Sequence, residues 1–472
     1  MVRVRNVDVQ ALDPELLKAL IGPQRAERFE QSAARARALL SGRRVINVNS
    51  TANGGGVAEL LRTLLAYARG TGIDAQWLVI DADGGFFEIT KRIHNRLYGA
   101  EGDGGPLGPA ERARYDAVMR GNAPELPTLA RGDIVILHDP QTAGLARAVR
   151  ATGATVVWRC HVGRDVPNAF TAEGWDFVRP YVEDVDAFVF SRAEFAPSWV
   201  DRGSLHVIPP SIDPFSAKNQ PLDADAVNGI LQYVGLVGGR ADPPNVPFFR
   251  RDGSPGWIER RVDLLHTGPP PPPQAPLVVQ ASRWDRIKDM AGVLRGFAEH
   301  LDGSDAHLAL VGPAVHGVDD DPEAGPVLDD CVRVWRELPE ALRARVHLAC
   351  VPMQDPDEAA MVVNALQRHA RVVTQKSLAE GFGLTVTEAM WKRRPIVASR
   401  VGGIVDQISD GEHGLLIDDP CDLDAFGRAV RRLLEDQPLA DRLAHAAYQR
   451  AYEEFLGDRH LERYADLFGS VG

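Results

Sequence analysis

Cysteine is scarce in this chain: four residues in 472, at Cys160, Cys331, Cys350 and Cys421, with no CxxC pair among them. That scatter excludes a zinc knuckle and a disulfide framework. No apolar run approaches the roughly 18–20 residues of a membrane helix, and the opening Met1-Val2-Arg3-Val4-Arg5-Asn6 lacks the apolar stretch and cleavage site of a secretory signal. The expectation is a soluble cytoplasmic protein without a membrane partner. Positive charge is in deficit, with a net charge of −12, so a broad basic face for a nucleic acid is not expected. A small anionic ligand remains open, because the sign of a pocket is local. No tandem repeat of fixed period is present.

What is present is ordinary globular composition, 44% hydrophobic and 25% charged, in a length suited to two cores. Short β-branched runs alternate with helical patterns, the sign of parallel βαβ units. Strands are expected at Val45–Val48, Trp77–Ile80, Ile134–Leu137, Val156–Arg159, Ala187–Phe190 and His206–Ile208. A second series follows at Leu277–Ala281, His307–Val311, Val346–Ala349, Val372–Thr374, Ile396–Ala398 and Leu415–Ile417. Two series predict two doubly wound domains, with Pro209-Pro210-Ser211-Ile212-Asp213-Pro214 as the crossing, since proline bars helix there. From Arg240 to Pro276 the chain is rich in Pro and Gly, ends in the run Pro269–Pro273, and reads as an extended surface connector.

Four constellations can carry chemistry. Asn49-Ser50-Thr51-Ala52-Asn53-Gly54-Gly55-Gly56 leads from the first strand into a helix whose free N–H groups suit polar or anionic oxygens. It is neither the dinucleotide fingerprint, because Glu59 stands where the third glycine would fall, nor a P-loop. A tight strand-to-helix turn is its plain alternative. Arg283-Trp284-Asp285-Arg286-Ile287-Lys288 follows the strand Leu277–Ala281, at the carboxyl end where open α/β sheets bind ligands. Arg283 and Lys288 could clamp a diphosphate there, or form a solvated basic turn. In Glu380-Gly381-Phe382-Gly383-Leu384-Thr385-Val386-Thr387-Glu388, two carboxylates bracket a glycine-rich helix entry. They suit sugar or ribose hydroxyls, although Thr385–Glu388 also fits a capping box. Trp158-Arg159-Cys160-His161-Val162-Gly163-Arg164-Asp165 ends the fourth strand. Cys160 and His161 point to opposite faces there and cannot form a nucleophile–base pair. His161 reads as a site residue or a structural core histidine, and His138-Asp139-Pro140 ends the third strand likewise. The acidic clusters Asp81/Asp83, Asp184/Asp186 and Asp319–Asp321 read as solvated turns or strand starts, so no metal site is expected.

Together these residues resemble the retaining GT-B glycosyltransferases of family 4. Arg283/Lys288, Glu380/Glu388, Val401-Gly402-Gly403-Ile404 and Asp410-Gly411-Glu412-His413-Gly414 are similar to its donor-site pattern. Asn47-Val48-Asn49-Ser50-Thr51, the triple glycine, Trp158–Asp165 with Pro167-Asn168, and Ile208–Pro214 resemble the trehalose synthase and phosphorylase group within it.

The resemblance implies two Rossmann-like α/β domains facing a cleft. Residues 1–213 would bind the acceptor, with an extension over 1–42. Residues 214–455 would bind the sugar nucleotide, and 456–472 would form a helix crossing back. It implies transfer of glucose from a UDP-, ADP- or GDP-glucose to glucose, forming trehalose reversibly. The alternatives are a phosphorylase using phosphate or glucose 1-phosphate, and a non-catalytic sugar-nucleotide binder. Donor binding falls to Arg283, Lys288, Glu380, Gly381, Phe382, Gly383, Leu384, Glu388 and Gly56. Acceptor binding falls to Gly54, Gly55, Asp139, Arg159 and His161. Arg283, Lys288, Glu380 and His161 would carry the catalysis. No cofactor is obligatory in this reading, Mg2+ acting at most as a stimulant. The partners are small sugars and sugar nucleotides, with a homodimer as the one oligomer considered.

Overall fold

Continuous apolar runs such as Ile134-Val135-Ile136-Leu137 are what a parallel sheet covered on both faces requires, and the computed structural model builds two sheets from them. It describes residues 3–52, 55–239, 247–250, 252–315 and 323–471. Asn53, Gly54, Arg240 and Asp319–Asp321 lie outside the described residues.

The first sheet has seven strands, β1 (Arg5–Asn6), β2 (Val45–Asn49), β3 (Ala75–Val79), β4 (Ile134–His138), β5 (Thr155–Cys160), β6 (Ala187–Phe190) and β7 (Leu205–Val207), in the order β1-β3-β2-β4-β5-β6-β7. All pairs are parallel except β1 against β3. After a two-stranded ribbon of β8 (Phe248–Phe249) and β9 (Pro255–Gly256), the second sheet follows. Its strands are β10 (Asp263–Leu265), β11 (Leu277–Ala281), β12 (His307–Pro313), β13 (Val346–Val351), β14 (Val372–Gln375), β15 (Ile396–Ser399) and β16 (Leu415–Ile417). The order is β10-β13-β12-β11-β14-β15-β16, with only β10 antiparallel.

These sheets belong to two compact units. The first comprises Met1–Ser211, Glu380–Phe382 and Phe455–Gly472; the second comprises Ile212–Ala379 and Gly383–Glu454. In the first unit the helix Gly457–Val471 lays Tyr464, Leu467 and Phe468 on a sheet face formed by Val45, Ile134, Ile136, Val157 and Val189. In the second, Trp284, Met290, Phe297, Leu308, Leu348 and Phe426 share one core. Among the described residues, no helix is long and apolar enough to cross a membrane.

One expectation is corrected. The segment from Arg240 to Pro276 is not simply an extended connector. Its described part forms the β8–β9 ribbon and edge strand β10, and it buries Phe248, Ile258 and Val262. Proline is tolerated at strand edges and ends, where no ladder donor is needed from it. Here the five-residue run falls after β10, where Pro271 accepts from Gly238 N–H (2.8 Å).

Candidate active site

Strand order sets where a site can form. In the second sheet the order reverses between β11 and β14, and in the first between β2 and β4. Such switch points leave a crevice outside the carboxyl ends of the strands. The loop carrying Arg283 and Lys288 follows β11, and the turn carrying Glu380–Glu388 follows β14. In the first unit the triple glycine follows β2, and His138-Asp139 ends β4.

After β11, Asp285 is buried and accepts from Arg283 Nη2 (3.1 Å) and from Ile287 N–H (3.1 Å), which fixes the short 3-10 turn Arg286–Lys288. Gln280 Nε2 donates to the Lys288 carbonyl (2.7 Å), and Gln280 Oε1 accepts from Lys376 N–H (3.0 Å). Lys376, fully buried at the end of β14, pairs with Asp289, which in turn caps the helix Met290–His300 through Gly292 N–H (3.1 Å). The β11 and β14 loops are thus bolted together beneath Lys288. Gln280, Asp289 and Lys376 went unnoticed in the sequence; a lysine ending an apolar strand was the available signal.

Gly383, left-handed at φ 87°, precedes the helix Leu384–Trp391 and provides its N-cap without any side-chain bond. Thr385 and Glu388 lie inside that helix, so the capping-box alternative falls. Glu388 is buried, with Lys218 Nζ 3.4 Å from Oε1. Leu384 is half-buried. Glu380, Gly381 and Phe382 group with the first unit, where Phe382 packs edge-on to Phe455. Gly381 has no room for a side chain, since a Cβ there would lie 2.4 Å from the His161 carbonyl oxygen and 2.8 Å from Tyr98 Oη.

In the first unit Gly55 opens the helix Gly55–Gly70, and Gly56 is exposed in its first turn. Asp139 adopts φ 62° and accepts from His161 N–H (2.7 Å), while Trp158 Nε1 donates to its carbonyl (3.1 Å). Among the described residues only three non-glycine residues have positive φ, and two of them stand at these motifs: Asp139 within one and Asp289 directly after the other. A carboxylate residue in the left-handed region is strained backbone that its surroundings must hold in place.

Arg159 does not reach the surface with them. It is fully buried, donating to Tyr464 Oη and to the Ile208 carbonyl (3.1 Å), with Nη1 3.4 Å from His460 Nε2. Cys160 is equally buried, and burial pushes its thiol well up. Asp83 caps the helix Gly84–Leu97, and Asp186 accepts from Val156 N–H (2.8 Å) at a strand start. Among the described residues no group of three or more His, Cys, Asp or Glu could hold a metal ion.

Burial raises the Asp139 carboxyl to about 7, against the opposing pull of His161 N–H and the Arg159 charge. Burial, reinforced by Arg159, keeps His138 and His161 neutral. The unfolded carboxyl titrates near 3.9, so the stability Asp139 contributes is complete below about pH 4 and is lost as pH rises through about 7. Asp139→Asn keeps an oxygen for His161 N–H and removes the ionisation. The variant should therefore gain stability over wild type progressively between about pH 4 and 7 and hold the gain above. Denaturant unfolding across that range checks it; a difference independent of pH would refute the raised value.

Residues 47–197 match the family described as trehalose synthase, N-terminal domain, and residues 269–450 match glycosyl transferases group 1. The trehalose synthase of Pyrococcus horikoshii is 33% identical over 458 residues, covering 96% of this chain and 95% of the relative. That of Rubrobacter xylanophilus is 35% identical over 439 residues, covering 92% and 91%. Among solved structures, the UDP-forming α,α-trehalose-phosphate synthase of Burkholderia xenovorans, in complex with glucose-6-phosphate, aligns with a TM-score of 0.66 at 16% identity. It covers 91% of this chain and 100% of that one. The fold is the two-domain α/β architecture of GT-B glycosyltransferases.

Proposed function

Because this chain belongs to the trehalose synthase family of GT-B hexosyltransferases, we propose that it moves glucose from a nucleoside diphosphate glucose onto glucose, making trehalose with retention and reversibly. Its activity class is trehalose-related glycosyl transfer; the donor, the acceptor and the residue roles are the proposal. The observation that supports them best is that the basic pair and the buried Glu388 follow β11 and β14, the two strands at the switch point of the second sheet.

In this reading Arg283 and Lys288 hold the diphosphate, Glu388 accepts from the ribose hydroxyls, and Glu380 accepts from hydroxyls of the donor glucose. Gly381–Leu384 and Gly56 offer backbone groups to the donor. Gly54, Gly55, Asp139 and His161 bind the acceptor glucose. Arg159, buried as it is, acts by its charge and by holding the strand end.

The bond from the anomeric carbon to the phosphate oxygen breaks as positive charge grows on the carbon and negative charge on the leaving diphosphate. Fixed cations stabilise that developing charge more in the transition state than in the ground state. The acceptor hydroxyl attacks from the same face, forming the new C–O bond, and its proton passes to the departing phosphate oxygen.

The test runs the reaction backwards. Trehalose is incubated with UDP, ADP, GDP or inorganic phosphate, and the released sugar donor is identified. A nucleoside diphosphate is expected to release a nucleotide sugar, and Glu388→Gln should weaken that nucleotide's binding. Release of glucose 1-phosphate with phosphate alone would make the enzyme a phosphorylase; no release with any partner would leave a non-catalytic binder.

A further inference from the structure

Beneath the carboxyl end of the first sheet lies a layer of buried polar side chains that the transfer reaction, as derived above, does not use. Asn47 on β2 and His138 at the end of β4 sit on the same sheet face, because Asn47 pairs with Ile136 and side chains two residues apart point the same way. His138 Nε2 lies 2.9 Å from Asn47 Oδ1, and His138 Nδ1 lies 3.1 Å from His161 Nε2. The two imidazole centroids are 5.5 Å apart and their planes 11° from parallel, the edge-to-edge arrangement an in-plane N–H bond requires. Asn47 and His138 are both 1% exposed.

With the Asn47 amide oriented so that Oδ1 faces His138, proton accounting along this chain has one solution. An amide oxygen only accepts, so His138 must carry its proton on Nε2. Burial and the Arg159 charge keep His138 neutral, which leaves Nδ1 with a lone pair. His161 Nε2 can then approach to 3.1 Å only as a donor. His161, also neutral, is left with a bare Nδ1 that accepts hydrogen bonds.

We propose that Asn47 and His138 are positioning residues that lock His161 in the Nε2–H tautomer, so that it meets the sugar as an acceptor for a hydroxyl proton. The proposal rests on the transferase reading for the role of His161, but the tautomer itself does not depend on it. Three further groups bear on this layer. Arg159 is the cation that disfavours protonation of both rings, and His460, on the helix Gly457–Val471, adds to that effect at His161. Asp139 holds the His161 backbone and not its ring.

The experiment is an imidazole 15N–1H correlation spectrum of the full chain labelled with 15N-histidine, recorded at pH 7.5 without substrate. His161 is assigned by comparison with His161→Gln. The expected result is a protonated Nε2 and an unprotonated Nδ1 on both His138 and His161, with a scalar coupling across the bond from His161 Nε2 to His138 Nδ1. A proton on His161 Nδ1, or no such coupling, overturns the proposal, and that reading needs no variant to fold. In Asn47→Leu the acceptor is gone, so both rings should become tautomer mixtures and kcat should fall roughly 10–100-fold, by analogy with the outer partners that orient metal-bound histidines, with KM less affected. An unchanged single tautomer, or a mixture with unchanged kcat, also overturns it. Failure of wild-type transfer with every donor would sink the transferase reading while the wild-type spectrum still decides the tautomer.

Discussion

Replacing Arg283 or Lys288 by alanine is expected to slow glucosyl transfer by about 10²–10³-fold in each case, the usual loss when one preorganised charge-stabilising donor is removed from a transition state. The effect should appear in kcat as well as in kcat/KM, because the charge on the leaving diphosphate grows as the bond breaks. The Arg283 side chain is 41% exposed and rests on Asp285, and the Lys288 carbonyl is held by Gln280 whatever its side chain. Neither substitution empties a core, but Arg283→Ala takes a donor from the buried Asp285 carboxylate and should cost about 1–3 kcal/mol of unfolding free energy while leaving the enzyme folded. Arg283→Lys keeps the charge and loses the fork that binds two oxygens, so it should fall between wild type and alanine. Steady-state kinetics beside denaturant unfolding checks all three variants. Wild-type rates in a folded Arg283→Ala enzyme would return this loop to a solvated basic turn.

Much of this arrangement is legible in the sequence because parallel strands announce themselves. β11 and β16 coincide end to end with the runs Leu277–Ala281 and Leu415–Ile417. The strands whose limits came out short are informative. His138, Cys160 and Gln375 extend β4, β5 and β14 beyond their expected ends. An apolar pattern stops at a polar residue such as His138 or Gln375, whereas the hydrogen-bond ladder does not, and the candidate site residues Asp139 and His161 stand directly after the ends of β4 and β5. β1 and β10, two and three residues long, are too short to show any period. Pairings distant in sequence were invisible for a different reason. Nothing local in Asp289 or Lys376, 87 positions apart, signals that they meet, because only the strand order brings the ends of β11 and β14 together.

The same holds for the pair that ties the start of the first unit to its end, and here the expected loss is in stability. Arg25, on the helix Pro23–Leu39, donates to Asp458 through Nε (3.0 Å) and Nη2 (2.8 and 2.7 Å), a two-pronged contact between residues 433 positions apart. Both side chains are nearly or wholly buried, at 9% and 0% exposure. Asp458 also lies in the first turn of the helix Gly457–Val471, where a negative charge is favoured by the exposed N–H groups. Asp458→Ala should therefore cost about 3–5 kcal/mol of unfolding free energy, because it leaves the guanidinium in a low-dielectric site without its counter-charge. Arg25→Met should cost a similar amount by stranding the carboxylate. The double variant Arg25→Met with Asp458→Leu should recover most of the loss, since replacing both ions by apolar groups of similar size removes the desolvation cost along with the attraction. A double-mutant cycle in urea reads the coupling, and repeating it at raised salt separates a buried pair, which salt screens little, from an exposed one. Additive single losses with no recovery in the double variant would show that the helices Pro23–Leu39 and Gly457–Val471 are held by packing alone, through Phe29 and Ala33 against Ala465 and Phe468, which line a common cavity.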